Sequence, residues 1–229
     1  MKQENIHAEH RKRIKERFLE SGLESFSSHE ILELLLFYAL PYKDTNIIGH
    51  ELINKYGSLS KVLDAPMSEL LKEKGLSEHS AILLKLMPEI SREYTTDKES
   101  NFGTISSYDE AGKYFISRFI GINVETVLAV YLDNKSQVID KVKISQGDVN
   151  SSSVSIRKIA TNALIKNAST VILAHNHPGG IPIPSSEDIS VTKAVDAALN
   201  LLGINLYEHF VVAGNAYIGI KNMHASYED

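Results

Sequence analysis

TVILAHNHPGGIPIPSSED, residues 170–188, is the stretch from which the rest of the chain is best read. Thr170 to Ala174 is short, apolar and rich in β-branched side chains, which marks a buried strand. His175 and His177 follow at once. Residues two apart on an extended chain point to the same side, so both imidazoles converge just beyond the strand end. Prolines and glycines between Pro178 and Pro184 then force an irregular loop. Ser185 with Asp188 has the form of a capping box in which Asp replaces Glu. The helix it opens runs to Leu202, with Gly203 as its stop. The loop folds the chain back so that Asp188, in the first helical turn, faces the histidines. Two imidazoles and one carboxylate make a zinc set with a fourth tetrahedral position left for water, the catalytic form of such a site. The same three ligand types suit non-haem iron. Each part has a plainer use: surface histidines, a first-turn acid favoured by the helix dipole, residues that shape a connection. Their conjunction after a strand end favours a metal.

Outward from this stretch, strands and helices alternate. Thr126 to Leu132 reads as a strand, Asp133-Asn134-Lys135 as a turn, and Gln137 to Ile144 as the returning strand. Ile156 to Asn167 is helical, and Ile204 to Ala213 with Tyr217 to Ile220 forms a hairpin around Gly214-Asn215. Mixed elements with hairpins predict an α+β fold, not a doubly wound sheet.

Before about residue 100 the pattern is helical. Ser27-Ser28-His29-Glu30 is a capping box, and Ile31, Leu34, Leu35 and Tyr38 follow at helical spacing up to the stop at Pro41. Asp44 caps the next helix, which carries Ile47, Ile48, Leu52 and Tyr56 and ends before Gly57. A further amphipathic segment runs from about Glu78 to Tyr94. Residues 95–101 are polar and lack periodicity, which predicts a linker. The expected domains are residues 1–98, helical, and 102–229, mixed α and β.

Composition narrows the chemistry. The chain has no cysteine, so disulfides, thiolate ligands and cysteine nucleophiles are excluded, and a metal must be held by His, Asp, Glu or neutral oxygen. At 43% hydrophobic and 23% charged residues it is composed to bury a core. The net charge of -5 argues against a strong non-specific nucleic-acid binder. The charged N-terminus has no apolar core of a signal peptide, and no apolar run is long enough for a membrane span. A cytoplasmic protein is expected.

At the residues quoted above, the sequence resembles the RadC-like (UPF0758) family, whose C-terminal domain belongs to the JAB/MPN metalloprotease superfamily. His175, His177, Ser185 and Asp188 fill the JAMM motif (His-x-His, seven residues, Ser, two residues, Asp) without a gap, within RadC-type wording: HNHP, a Gly soon after, and Pro-Ser before the Asp. The resemblance implies an N-terminal helix-hairpin-helix-like domain. It also implies a zinc ion on His175, His177 and Asp188, with Glu125 as the acid–base group before TVLAVYLD. Glu110 and Glu99 are its weaker rivals. Ser185 is then an oxyanion donor, and the implied reaction is hydrolysis of a peptide or isopeptide bond in a peptide or protein substrate. His209, in the apolar strand Phe210 to Val212, reads as a core histidine more than as a partner of the site.

Departures from the family pattern fall at Ser155-Ile156-Arg157-Lys158, where only the Arg of a Pro-Arg-Glu triplet is kept, and at Gly147-Asp148 and Glu208. They also fall at Gly75-Leu76-Ser77, where a Gly-x-Gly hairpin has lost a glycine. Such hairpins use backbone amides to hold phosphate. Residues 1–98 carry 14 Lys+Arg against 16 Asp+Glu. Weak or no DNA binding is expected, and a DNA-associated interaction module with a non-catalytic metal stands as the alternative function. A zinc deaminase would need a Pro-Cys-x-x-Cys signature, which a chain without cysteine lacks.

Overall fold

The computed structural model describes residues 2–99, 103–147 and 154–225. The chain divides into two compact units, Met1–Ile90 and Ser91–Asp229.

The first unit is helical: α1 (Lys2–Ser21), α2 (Ser28–Leu36), α3 (Thr45–Tyr56), α4 (Leu59–Asp64), α5 (Met67–Leu70) and the start of α6 (Glu78–Glu99). The expected caps form. The Ser27 amide donates to Glu30 Oε2 at 2.9 Å. The Asp44 carboxylate accepts from the amides of Asn46 and Ile47. Gly57 closes α3 at φ +88, a conformation that L side chains rarely adopt. Helix α2 ends at Leu36, a turn before the expected stop at Pro41, because Arg11 of α1 takes up the carbonyls that follow. Its guanidinium donates to Phe37, Leu40 and Lys43. Leu32, Leu36, Leu52, Leu70 and Leu84 form the centre of this unit's core.

Helix α6 differs from expectation. It runs on through residues 95–99, which read as the linker; residues 100–102 lie outside the described residues. Hydrophobic periodicity reports burial and not helicity, so a polar helical end leaves no such signal. Lys98 lies over the Tyr94 ring at 4.6 Å, one turn away on the same helix.

The second unit holds the rest of α6 and then α7 (Tyr108–Phe119), which has no counterpart in the sequence reading. It continues through β1 (Thr126–Leu132), β2 (Val138–Gln146), α8 (Ile156–Ile165), β3 (Thr170–Asn176), α9 (Ser186–Asn200), β4 (Asn205–Ala213), β5 (Ala216–Gly219) and α10 (Ile220–Ala225). Its five-stranded sheet has the order β2-β1-β3-β4-β5, with β3 and β4 parallel and the other pairs antiparallel. The arrangement is α+β, as expected.

Period-two alternation gives the sheet two buried faces. Val130, Leu132, Ile172, Ala174, Phe210 and Val212 pack with Phe115 and Phe119 of α7. Gly112 permits that approach, since a Cβ there would collide with the Tyr217 ring. On the other face Val127, Ala129, Tyr131, Val171 and Leu173 pack with Ile159 and Ala163 of α8 and Val195 and Leu199 of α9. Val127 pairs with His175, so the α8/α9 face carries the odd-numbered residues of β3 and leads straight to the histidines. Among the described residues no helix is long and apolar enough to cross a membrane.

Candidate metal centre

The quoted loop folds as the sequence implies. Strand β3 extends to Asn176, with His175 inside the ladder and buried at 1% exposure. His175 Nε2 and His177 Nε2 face each other at 3.1 Å. Ser185 caps α9, accepting from the Asp188 amide, while Asp188 Oδ2 accepts from the Ser185 amide and hydroxyl at 2.8 and 2.7 Å. This box turns the carboxylate back toward the strand end. Asp188 Oδ1 lies 3.4 Å from His175 Nε2, and Oδ2 lies 3.9 Å from His177 Nε2. Glu125, one residue before β1, brings a carboxylate oxygen within 4.8 Å of both imidazoles. These five residues line one cleft of about 540 Å³, together with His209.

The hydrogen bonds around the imidazoles fix where the protons are, by assignment from their partners. The Thr192 hydroxyl lies 2.6 Å from the Asp188 carbonyl, which can only accept, so Thr192 donates there. Its oxygen then accepts from His209 Nδ1, also at 2.6 Å. Burial holds the His209 imidazole well below its usual pKa, with His175 adding to the effect, so the ring is neutral and its Nε2 is an acceptor. That nitrogen sits 2.9 Å from His175 Nδ1, which must therefore carry a proton. His177 Nδ1 donates to the Ile181 carbonyl at 3.1 Å. Both Nε2 atoms are left with lone pairs directed at each other, beside a carboxylate. Burial raises the Asp188 carboxyl, while the Ser185 amide and hydroxyl and a positively charged His175 lower it, so in the absence of another cation a proton belongs between His175 Nε2 and this carboxylate.

Such a convergence of acceptors requires positive charge among them: a shared proton, or a metal ion. Nitrogen and oxygen ligands about 2.0–2.1 Å from a tetrahedral zinc stand about 3.3–3.4 Å apart. The 3.1 Å between the two Nε2 atoms and the 3.4 Å from His175 Nε2 to Asp188 Oδ1 lie close to that value, so these residues fit the ion.

The structure thus brings together His175, His177, Asp188, Ser185 and Glu125. Of the rival acids, Glu110 is engaged at the start of α7, accepting from the Ser106 amide and hydroxyl at 2.8 and 2.7 Å. The side chain of Glu99 and all of Asp148 lie outside the described residues. His209 is corrected: it is buried as expected, yet it is also the direct partner of His175. Ser185's single hydroxyl proton is directed at Asp188 in this structure. Thr192 and Asn176 went unread. Thr192 stands four residues after Asp188 on the same helix face, a spacing that was available in the sequence. Glu208 is buried and accepts from the amides of His209 and Lys221, so this departure from the family is accommodated structurally.

Comparison with known proteins gives the family of this chain. The family model described as a RadC-like JAB domain matches residues 105–225. A UPF0758 protein of Fusobacterium nucleatum is 36% identical over 217 residues, covering 91% of this chain and 93% of its own. One from Ruegeria pomeroyi is 32% identical over 213 residues, covering 93% and 95%. Another from a Geobacillus strain is 31% identical over 209 residues, covering 91% and 92%. The chain belongs to the RadC-like UPF0758 family, and its second unit is a JAB domain with a metal-dependent hydrolase-like fold.

Proposed function

We propose that this protein is a zinc-dependent hydrolase of amide bonds, acting on a peptide or isopeptide linkage in a peptide or protein substrate. The observation that carries the reading is the meeting of two imidazole Nε2 atoms and a carboxylate, with the Nδ1 proton of each imidazole committed to another partner. His175 and His177 would hold the ion through Nε2 and Asp188 through Oδ1, the oxygen that Ser185 leaves free. Zinc so held supplies an acidified water and a Lewis acid toward a carbonyl at neutral pH.

The chain's own groups do the rest. Glu125 stands on the open side of the histidines, half-buried, where its carboxylate takes a proton from the attacking water and returns it to the leaving amine. Ser185 orients Asp188. Rotation about its Cβ–Oγ bond turns the same hydroxyl to donate a hydrogen bond to the oxygen of the tetrahedral intermediate, at the loss of one bond to the carboxylate. His209 and Thr192 hold the His175 ring in the tautomer that leaves Nε2 free.

Two variants test the division of roles. Glu125→Gln keeps size and hydrogen bonding but accepts no proton. It should retain zinc and melting temperature while amide hydrolysis falls by roughly 10²–10⁴-fold. Asp188→Asn should lose zinc and activity together, since a neutral amide is a poor ligand for this ion. A Glu125→Gln protein without zinc, or with full activity, overturns the assignment.

A further inference from the structure

Asn176 lies between the two histidines and so points away from them. Its side chain is buried, and every polar atom of it is used. Oδ1 accepts from the Thr126 amide at 2.8 Å. Nδ2 donates to the carbonyls of Ile122 and Val124 at 3.0 and 3.2 Å. These three groups lie before and after Glu125. The Glu125 carbonyl itself accepts from the Gly147 amide at the end of β2, at 3.0 Å. At this corner of the sheet β1 is only beginning, and a side-chain amide stands in for the missing strand.

We propose that Asn176 is a positioning residue for Glu125: its amide clamps the backbone on both sides of that residue and so sets where the carboxylate stands relative to His175 and His177. The inference rests on the reading of Glu125 as the acid–base group, and it deepens that reading. One residue of β3 carries the geometry of the histidine pair and of the acid together. Any shift of the strand end moves all three groups as a body. Catalytic groups need such support, because small misplacements of a proton acceptor cost large factors in rate. No other residue type fits as well. Asp lacks the two donors and sets an anion against two carbonyls, and Ala removes the bonds to the Thr126 amide and the Ile122 carbonyl and leaves the Val124 carbonyl only the Thr126 hydroxyl.

Hydrogen exchange tests the clamp without any substrate. In the unaltered protein the Thr126 amide should exchange slowly, although it stands at the first residue of an unfinished strand. In Asn176→Ala, exchange across residues 122–126 should rise at least about tenfold while Val171 to Ala174 stays protected and zinc stays bound. Asn176→Asp, which keeps the side chain's size, should do the same. With an assayable peptide, either variant should lower kcat about tenfold or more with KM and zinc content unchanged, and should add no further loss to Glu125→Gln. Fast exchange at Thr126 in the wild type overturns the proposal. So does unchanged exchange in a folded Asn176 variant, loss of zinc from one, or a loss of activity fully additive with Glu125→Gln. If the wild type cleaves no amide, the hydrolase reading fails while the exchange data still decide the clamp.

Discussion

One carboxylate in each unit, buried in the first and partly buried in the second, shows how differently such a group can be surrounded. In the helical unit Glu33 is 1% exposed, in the middle of an apolar run. His10 Nε2 meets one of its oxygens at 2.7 Å and Asn46 Nδ2 donates to the other at 2.8 Å. In the JAB unit Asp188 meets two imidazole nitrogens that have spent their protons elsewhere. A buried acid with donors on both oxygens is part of the packing. A partly buried acid with donors on one oxygen and imidazole nitrogens facing the other is suited to a cation. Burial and charge alone do not separate the two cases; the proton positions do.

The largest effect that would sharpen this contrast is on stability. Glu33→Ala removes the acceptor shared by His10 and Asn46, and its loss should cost the helical unit about 2–4 kcal/mol. Zinc content should not change. A calorimetric scan with metal analysis checks both, and a zinc loss would break the separation between the units.

A smaller effect is expected at the relay behind His175. Thr192→Val keeps the shape but removes the hydroxyl between His209 and the Asp188 carbonyl. Zinc affinity should weaken by roughly 10–100-fold, as for other partners of metal-bound histidines, with little change in melting. Competition with a chelator measures it, and unaltered affinity would contradict the proton assignment.

The smallest effect is a null. Residues 1–98 have no basic excess, so duplex DNA titrated at about 0.15 M salt should bind little or not at all. Sub-micromolar binding that strengthens sharply as salt is lowered would instead give the helical unit a role of its own.

Much of this was legible in the chain, for reasons that differ by residue. The β3–loop–α9 stretch was readable because each piece has a local signature: β-branched strand, alternating histidines, Pro/Gly loop, capping box. Caps at Ser27 and Asp44 were readable for the same reason. What stayed hidden depends on pairing across the fold. Glu33 interrupts an apolar run in sequence, and only the packing of α1 and α3 supplies its donors. His209 looked like core because its strand is apolar, while its partner is 34 residues away. Helix α7 is a different case: Ala111, Tyr114, Phe115 and Phe119 follow a Ser107 cap at helical spacing, a local signature that the sequence does carry. Asn176 bonds to residues 50 to 54 positions distant, which no local pattern announces.

Metal analysis of the purified protein tests the central claim most directly, alongside a His175→Ala/His177→Ala double variant. The account predicts about one zinc per wild-type chain, none in the double variant, and an unchanged helical signal from the first unit. Zinc retained in full by the folded double variant would contradict it.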